Sequence, residues 1–488
     1  MVPGDAEAVL TLDLILPDDA SLPPLQGRAR TIRWVWHDTV DFALAEDGLA
    51  LIEAVGAAWR VDRFRPAKPA SAWLPGAPDW TLAEGETEAQ GCAAAGLDVP
   101  VGMMPMARLQ ARQRNLRAGQ DGVTGYLIEG VLHGAASERP VRLLRLTGPA
   151  FAVVARADGL GASVPCIGLS GLALLLVHPG LPARRTGAPC LSANANVGAA
   201  FGHIVGHLAD VILRLAPLTV LGVGPEPVHQ MRVATRRLRS ALGLFAKVAV
   251  CPELAPIKAD ARKLATILGP ARDWDVFLSG TGAAVAASLP DDAAVSRLLA
   301  AAKRRRQAAY RVLRAYLDGP EFRLLGLRLA SFVATQPWEV EGEAVPLTSF
   351  AARALKKRHV RMVAAGDRIE DLDVPALHGL RLQAKRLRYA AEFLAPLYPD
   401  RVIGRYVRRL TDVQEALGHL NDASVAAALM GELGRAGGLG YAGGVVRGFV
   451  AGCAGDARTE IKGAWKRFRK LGAKSLFALA GLGDLKKD

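Results

Sequence analysis

VHQMRVATRRLRSALGLF, from Val228 to Phe245, returns 149 residues later as LHGLRLQAKRLRYAAEFL, from Leu377 to Leu394. Both carry the pattern His-x-x-Arg-x-x-x-(Arg/Lys)-Arg-Leu-Arg. His229, Arg232, Arg236, Arg237 and Arg239 therefore match His378, Arg381, Lys385, Arg386 and Arg388. The same 149-residue offset sets Phe201 against Phe350, Leu268-Gly269 against Leu417-Gly418 and Asp273 against Asp422. One gapless register over more than seventy residues reads as the duplication of a multi-helix unit.

At about 100° per residue, His229, Arg232, Arg236 and Arg239 fall within an arc of roughly 80° on one helix face. Met231, Ala234, Leu238, Ala241, Leu242 and Phe245 form a separate apolar stripe, repeated by Leu380, Ala384, Leu387, Ala391 and Leu394. No acid stands between Glu226 and Glu253, and none between Asp373 and Glu392. A solvated helix surface usually mixes the signs of its charges. Two all-cationic faces instead point to a strongly anionic ligand. Arg suits phosphate because its planar fork makes paired charge-assisted hydrogen bonds, and a polyanion favours the protonated form of a neighbouring His.

Charge is unevenly spread. Residues 1–190 hold 17 Lys plus Arg against 20 Asp plus Glu, and the remainder 44 against 27, so the excess of +14 lies entirely in the C-terminal part. That asymmetry places anion binding there. Five scattered cysteines without a CxxC suit reduced thiols and exclude both a disulfide scaffold and a zinc site. No basic-then-apolar leader opens the chain, and the apolar run from Gly168 to Val177 is too short to span a bilayer. A cytoplasmic protein without a membrane partner is expected.

Residues 1–178 read as an antiparallel β domain. Val9–Leu16, Thr31–Trp36, Leu49–Ile52, Trp59–Phe64, Gly125–Leu132 and Val141–Leu146 are candidate strands between Gly, Pro and Asp turns, with a helix near Phe151–Ala157. The Pro- and Gly-rich residues 179–198 form a linker, and 336–346 a second one. From 199 to 488, Ala, Leu and Arg recur with helical periodicity. The expectation is an α+β multidomain chain whose C-terminal part is a pair of four-helix bundles (199–335 and 347–488) with an internal pseudo-two-fold repeat.

The HxxRxxxRRLR helix, its second copy, and the LGPARDWDVF and LGHLNDASVA segments that follow resemble the CHAD domain, the conserved-histidine α-helical domain, over roughly residues 199–480. The resemblance implies two four-helix bundles with a basic surface between them, and inorganic polyphosphate as the ligand. It assigns the site to His229, Arg232, Arg236, Arg239, His378, Arg381, Lys385 and Arg388, with less weight on Arg237 and Arg386, which lie off the central arc. His207, Lys303, Arg304, Arg311, Lys356, Lys357 and Arg361 are candidate additional anion contacts.

Residues 1–178 are similar in outline to a CYTH domain, the triphosphate-tunnel fold, around His37–Thr39. The resemblance would require Glu-x-Glu-x-Lys on the first strand, where Val9, Thr11 and Asp13 stand, and carboxylates late in the domain, where Arg142 and Arg145 stand. Metal-dependent triphosphate hydrolysis needs several carboxylates around the ion, so a degenerate barrel without catalysis is expected, left to bind, dimerise or dock. Arg108, Arg112 and Arg114 remain as a basic strand. His203 and His207 have metal-ligand spacing but no third ligand. Asp273 and Asp422, each after a Leu-Gly turn, read as helix caps. No metal and no cofactor are implied.

The leading reading is non-catalytic polyphosphate binding, with association to polyphosphate granules and a homodimer as further expectations. The alternatives are a general polyanion or nucleic-acid-binding protein, and a divergent metal-dependent triphosphatase. Against nucleic acid, no helix-turn-helix or zinc-finger pattern occurs and aromatics do not interleave with the basic faces.

Overall fold

The computed structural model describes residues 8–64, 76, 78–165, 168–178, 191–192, 195–222, 224–340, 346–434 and 439–471. Most of the expected first linker, part of the second, the last residues of the second bundle, Cys166 and Cys190, and the side chain of Asp422 lie outside the described residues.

The chain is α+β. Its N-terminal part runs β1 (Val9–Ile15), β2 (Leu25–Asp38), α1 (Ala43–Glu46), β3 (Leu49–Ala54), β4 (Trp59–Arg63), β5 (Trp80–Gly85), α2 (Glu88–Ala94), β6 (Met104–Leu116), β7 (Thr124–His133), β8 (Glu138–Pro149), α3 (Ala150–Gly159) and α4 (Leu169–Leu175). Eight strands form one antiparallel sheet in the order β1-β8-β7-β6-β2-β3-β4-β5. Side chains from all eight, among them Asp13, Trp34, Ala54, Arg60, Thr81, Gln113, Tyr126 and Arg145, face one cavity of about 290 Å³. A sheet whose two edges share a lumen is rolled, as a tunnel-type barrel requires. The apolar run expected to be too short for a membrane is α4, a buried helix whose Leu169, Leu172 and Ala173 pack on Ile32, Leu109, Ile128 and Leu143 of the sheet.

The helical part follows as α5 (Val197–Leu221), α6 (Glu226–Leu244), the two-residue strand β9 (Ala249–Val250), α7 (Leu254–Ser279), α8 (Thr281–Ser288), α9 (Ala293–Leu317), α10 (Pro320–Thr335), the strand β10 (Glu339–Val340), α11 (Leu347–Ala365), α12 (Val374–Leu394), α13 (Asp400–Gly434) and α14 (Gly440–Arg469). The offset of the basic motif carries through: α5, α6, α7 and α9 align with α11, α12, α13 and α14. The first half is therefore richer than the four helices expected, because α8 and α10 are added. The second linker is not wholly irregular, since β10 pairs antiparallel with β9.

The two halves are joined through aromatic side chains. Phe245, fully buried at the end of α6, stacks on Phe201 of α5 (ring centroids 4.9 Å) and on Phe350 of α11 (5.0 Å). The duplicated phenylalanines thus sandwich a ring from one motif helix. α5 is apolar and long enough to cross a membrane by composition, yet Phe201, Ile204, Leu208 and Ile212 are buried in the common core. The β domain is not held by a linker alone. Leu10, Leu12 and Leu14 of β1 and Val153 of α3 belong to the same apolar cluster as α5 and α10.

Candidate functional site: a one-sided basic groove

α6 and α12 pack against each other at the centre of the helical part. Their apolar stripes are buried as the sequence predicts. Their cations divide among three environments.

The first is a groove of about 980 Å³ between α6, α11 and α12. Arg239 and Arg386 enter it from the two motif helices, Lys247 from the turn after α6, and Arg353, Lys357, Arg358 and Arg361 from α11. Its described lining thus holds seven cations and no carboxylate. The consequence is mutual repulsion. Burial pushes the Arg239 guanidinium below its ordinary value, and Arg262 and Arg386 push it the same way. Burial, then Arg361 and Arg386, do so for Arg358. Arg239, Arg386, Arg353, Lys357 and Arg361 are nonetheless exposed, and so open to a solute.

The second environment continues from the groove along α6. Arg236 lies one turn from Arg239, and beyond it stand Arg232 and His229. Arg232 pairs with Asp273 of α7 at 3.2 Å. Its Nη1 approaches Gly269 so closely that a Cβ there would sit 3.3 Å away. Burial and then Arg272 push the His229 imidazole below its ordinary value. Asp273 is therefore no helix cap: Leu268, Gly269 and Asp273 all lie inside α7. On α12, His378 is exposed and Arg381 and Lys385 are half-buried, outside the groove lining.

The third environment is closed. Arg237 of α6 and Arg388 of α12 both pair with Glu392, each at 3.4 Å. Arg237 also lies over the Phe393 ring, with its guanidinium carbon 5.3 Å from the centroid. The nearby α5 helix carries His207, whose pKa is pushed down to about 4 by burial and then by Arg237 and Arg214. That imidazole is neutral at pH 7 and lies outside the groove lining, which its expected anion-facing role does not match.

The groove thus takes Arg239 from the expected central arc, together with Arg386, to which the spacing gave less weight. Lys357 and Arg361 join them. Lys356 is exposed on α11 but outside the lining. Lys303, Arg304 and Arg311 are exposed on α9, which packs on α7 and α14, also outside the lining. Lys247 and Arg353 were missed as site residues, and Arg358 was read only as a basic residue that could extend the surface of that helix. Arg353, Lys357 and Arg361 recur at helical spacing on one face of α11, a signal that was present in the sequence.

The barrel lumen is a different environment. Asp13, buried on β1, receives a two-pronged bond from Arg145 at 2.6 and 2.8 Å. Asp62 accepts from Arg60 and Thr81 at 3.1 and 2.9 Å. Asp79 accepts from the Ser170 backbone N–H at 2.8 Å, and burial pushes its pKa up to about 6. Arg145 thus sits on the remaining acid of the first strand instead of repelling a metal from an open site. Arg142 and Arg114 are held by Glu129. Arg108, Arg112 and Arg114 lie on the β6 face opposite Gln113, away from the lumen. Among the described residues no group of three or more His, Cys, Asp or Glu is placed to hold a metal ion.

Comparison with known proteins bears on the helical part. The CHAD domain model matches residues 203–431. The crystal structure of the CHAD domain from the plant Ricinus communis is similar, with 32% identity over 58% of this chain and 96% of that one, at a TM-score of 0.51. Two uncharacterised proteins from Mycobacterium tuberculosis, strains CDC 1551 / Oshkosh and ATCC 25618 / H37Rv, are each 36% identical over 173 residues. The match spans about a third of this chain and about a third of the length of those curated relatives.

Proposed function

The chain belongs to the CHAD family through residues 203–431, and from that premise we propose that its basic groove binds inorganic polyphosphate without catalysis. The observation that carries the reading is the groove's composition: seven cations, no described carboxylate, and about 980 Å³ of open space between α6, α11 and α12. Such a cluster costs free energy until an anion arrives. A chain of phosphates supplies a negative charge at every unit and oxygens for each guanidinium fork. Its charge is uniform, so no base readout is needed. Phe350, the one aromatic side chain in the described lining, is buried in the core and offers no stacking platform.

The barrel contributes no chemistry in this reading. Its remaining acids are tied to Arg145, Arg60 and the start of α4. The reading extends to a cytoplasmic protein at polyphosphate granules, which co-localisation of a tagged chain with a polyphosphate stain tests. The direct test is affinity for long-chain polyphosphate, with double-stranded DNA at equal phosphate concentration as competitor. Tight binding that DNA does not displace, with no phosphate released in Mg²⁺ or Mn²⁺, supports the reading. Equal or tighter DNA binding replaces it with a general polyanion surface. Phosphate release abolished by changes within residues 1–178 replaces it with a hydrolase.

A further inference from the structure

The duplication sets each groove arginine against a counterpart in the other copy. With the 149-residue offset, Arg239 and Arg386 correspond to Arg388 and Arg237. The second pair is closed by Glu392, one carboxylate oxygen to each guanidinium at 3.4 Å. The position matched to Glu392 in the first copy is Gly243, which lines the open groove. The flanking helices differ in the same sense. Arg353, Lys357, Arg358 and Arg361 of α11 correspond to Ile204, Leu208, Ala209 and Ile212 of α5, all buried.

We propose that the polyanion site is single and one-sided, and that Glu392 is a resident counter-charge that keeps the repeat-related arginines, Arg237 and Arg388, from acting as a second site. The proposal rests on the groove being the polyanion site. It goes further by assigning the choice of side to one residue pair, glycine at 243 and glutamate at 392. The physical argument is substitution of one anion for another. Arg237 and Arg388 are half-buried and need a negative partner, which a carboxylate one turn along α12 from Arg388 supplies. Arg239 and Arg386 have the same relation to each other but meet a glycine, so their partner comes from solution. A phosphate in the groove does for them what Glu392 does for their counterparts.

Gly243 also offers the test. A Cβ added there meets nothing within 4 Å, so a side chain can start from this position into the open groove. The full chain is titrated calorimetrically with inorganic tripolyphosphate, a probe short enough to count sites. The wild type is expected to bind one equivalent. Gly243→Glu is expected to weaken binding at least tenfold, while Gly243→Gln, of nearly the same size, stays within about threefold. Glu392→Gln, which removes the carboxylate shared by Arg237 and Arg388, is expected to leave groove affinity unchanged and to add a second, weaker equivalent. Two equivalents in the wild type, equal binding by Gly243→Glu and Gly243→Gln, or a single equivalent retained by Glu392→Gln would each overturn the assignment of the side to this residue pair while leaving the groove reading in place. Absence of binding by the wild type, to tripolyphosphate and to long-chain polyphosphate alike, would remove both.

Discussion

Replacing Arg239 and Arg386 together by Gln should change the salt dependence of polyphosphate binding by an amount the groove fixes in advance. Each phosphate neutralised on a flexible polyanion releases about 0.7 of a counterion, by the value for single-stranded nucleic acids. Seven groove cations then give a slope of log K against log salt of about −5, a loss of about 10³ in affinity between about 50 and 200 mM salt. Removing two cations brings the slope to about −3.5 and the loss to about 10². The comparator is Lys303→Gln with Arg304→Gln, which makes the same change in net charge on α9, outside the groove lining. Anisotropy titrations of labelled long-chain polyphosphate across that salt range read both slopes. If the α9 variant flattens the slope as much as the groove variant, the charge acts at large and the groove assignment is wrong.

Further outcomes concern the frame that holds the site. Phe245→Ala removes a fully buried ring stacked between Phe201 and Phe350, and a cost of about 3–5 kcal/mol in denaturant unfolding is expected; a cost under 1 kcal/mol would mean the halves are not coupled there. Asp13→Ala leaves Arg145 without its two-pronged partner in the barrel lumen, at about 3 kcal/mol, while polyphosphate affinity stays unchanged because the lumen is not the site. His207 is held neutral by burial and neighbouring arginines, with its pKa pushed down to about 4. The unfolded chain therefore binds the extra proton between about pH 6.5 and 4, and stability falls as pH falls through that window, by on the order of 3 kcal/mol. Urea midpoints at pH 7 and pH 4.5 should fall further for the wild type than for His207→Asn, and equal drops would contradict the assignment.

The two motif helices and the register of the repeat were legible because each rests on a local, periodic signal, whereas α8 and α10 were not anticipated. Met231, Leu238 and Leu242 mark the buried stripe of α6 in the sequence as clearly as in the structure. The barrel was partly legible: β5 was not read as a strand, and α4 was read only as an apolar run because buried strands and buried helices share a composition. The division of the site was not legible. Spacing on α6 ranks Arg237 below Arg239 but cannot say that Glu392, on another helix, reaches Arg237, or that α11 presents arginines where α5 is buried. Partner identity is a tertiary fact, set by which helix lies across which.

That difference between the copies has a physical cause in the docking of the β domain. α10, which has no described counterpart in the second half, lies against α5, α3 and β1, and Leu213 of α5, Gly326 of α10 and Val164 of the β domain meet there. A helix covered on that side and by α6 must be apolar around most of its surface, so α5 carries Ile204, Leu208 and Ile212 where α11 carries Arg353, Lys357 and Arg361. Attaching the barrel thus fits the first copy of the outer helix for burial and leaves only the second free to carry charge. The Glu392 pairing then follows from burial as well. Beside an apolar α5, Arg237 and Arg388 have less access to solvent ions, and an internal carboxylate is the cheaper partner. The barrel, whose own acids are occupied, therefore bears on the proposed anion site by fixing which of two related helix faces stays open.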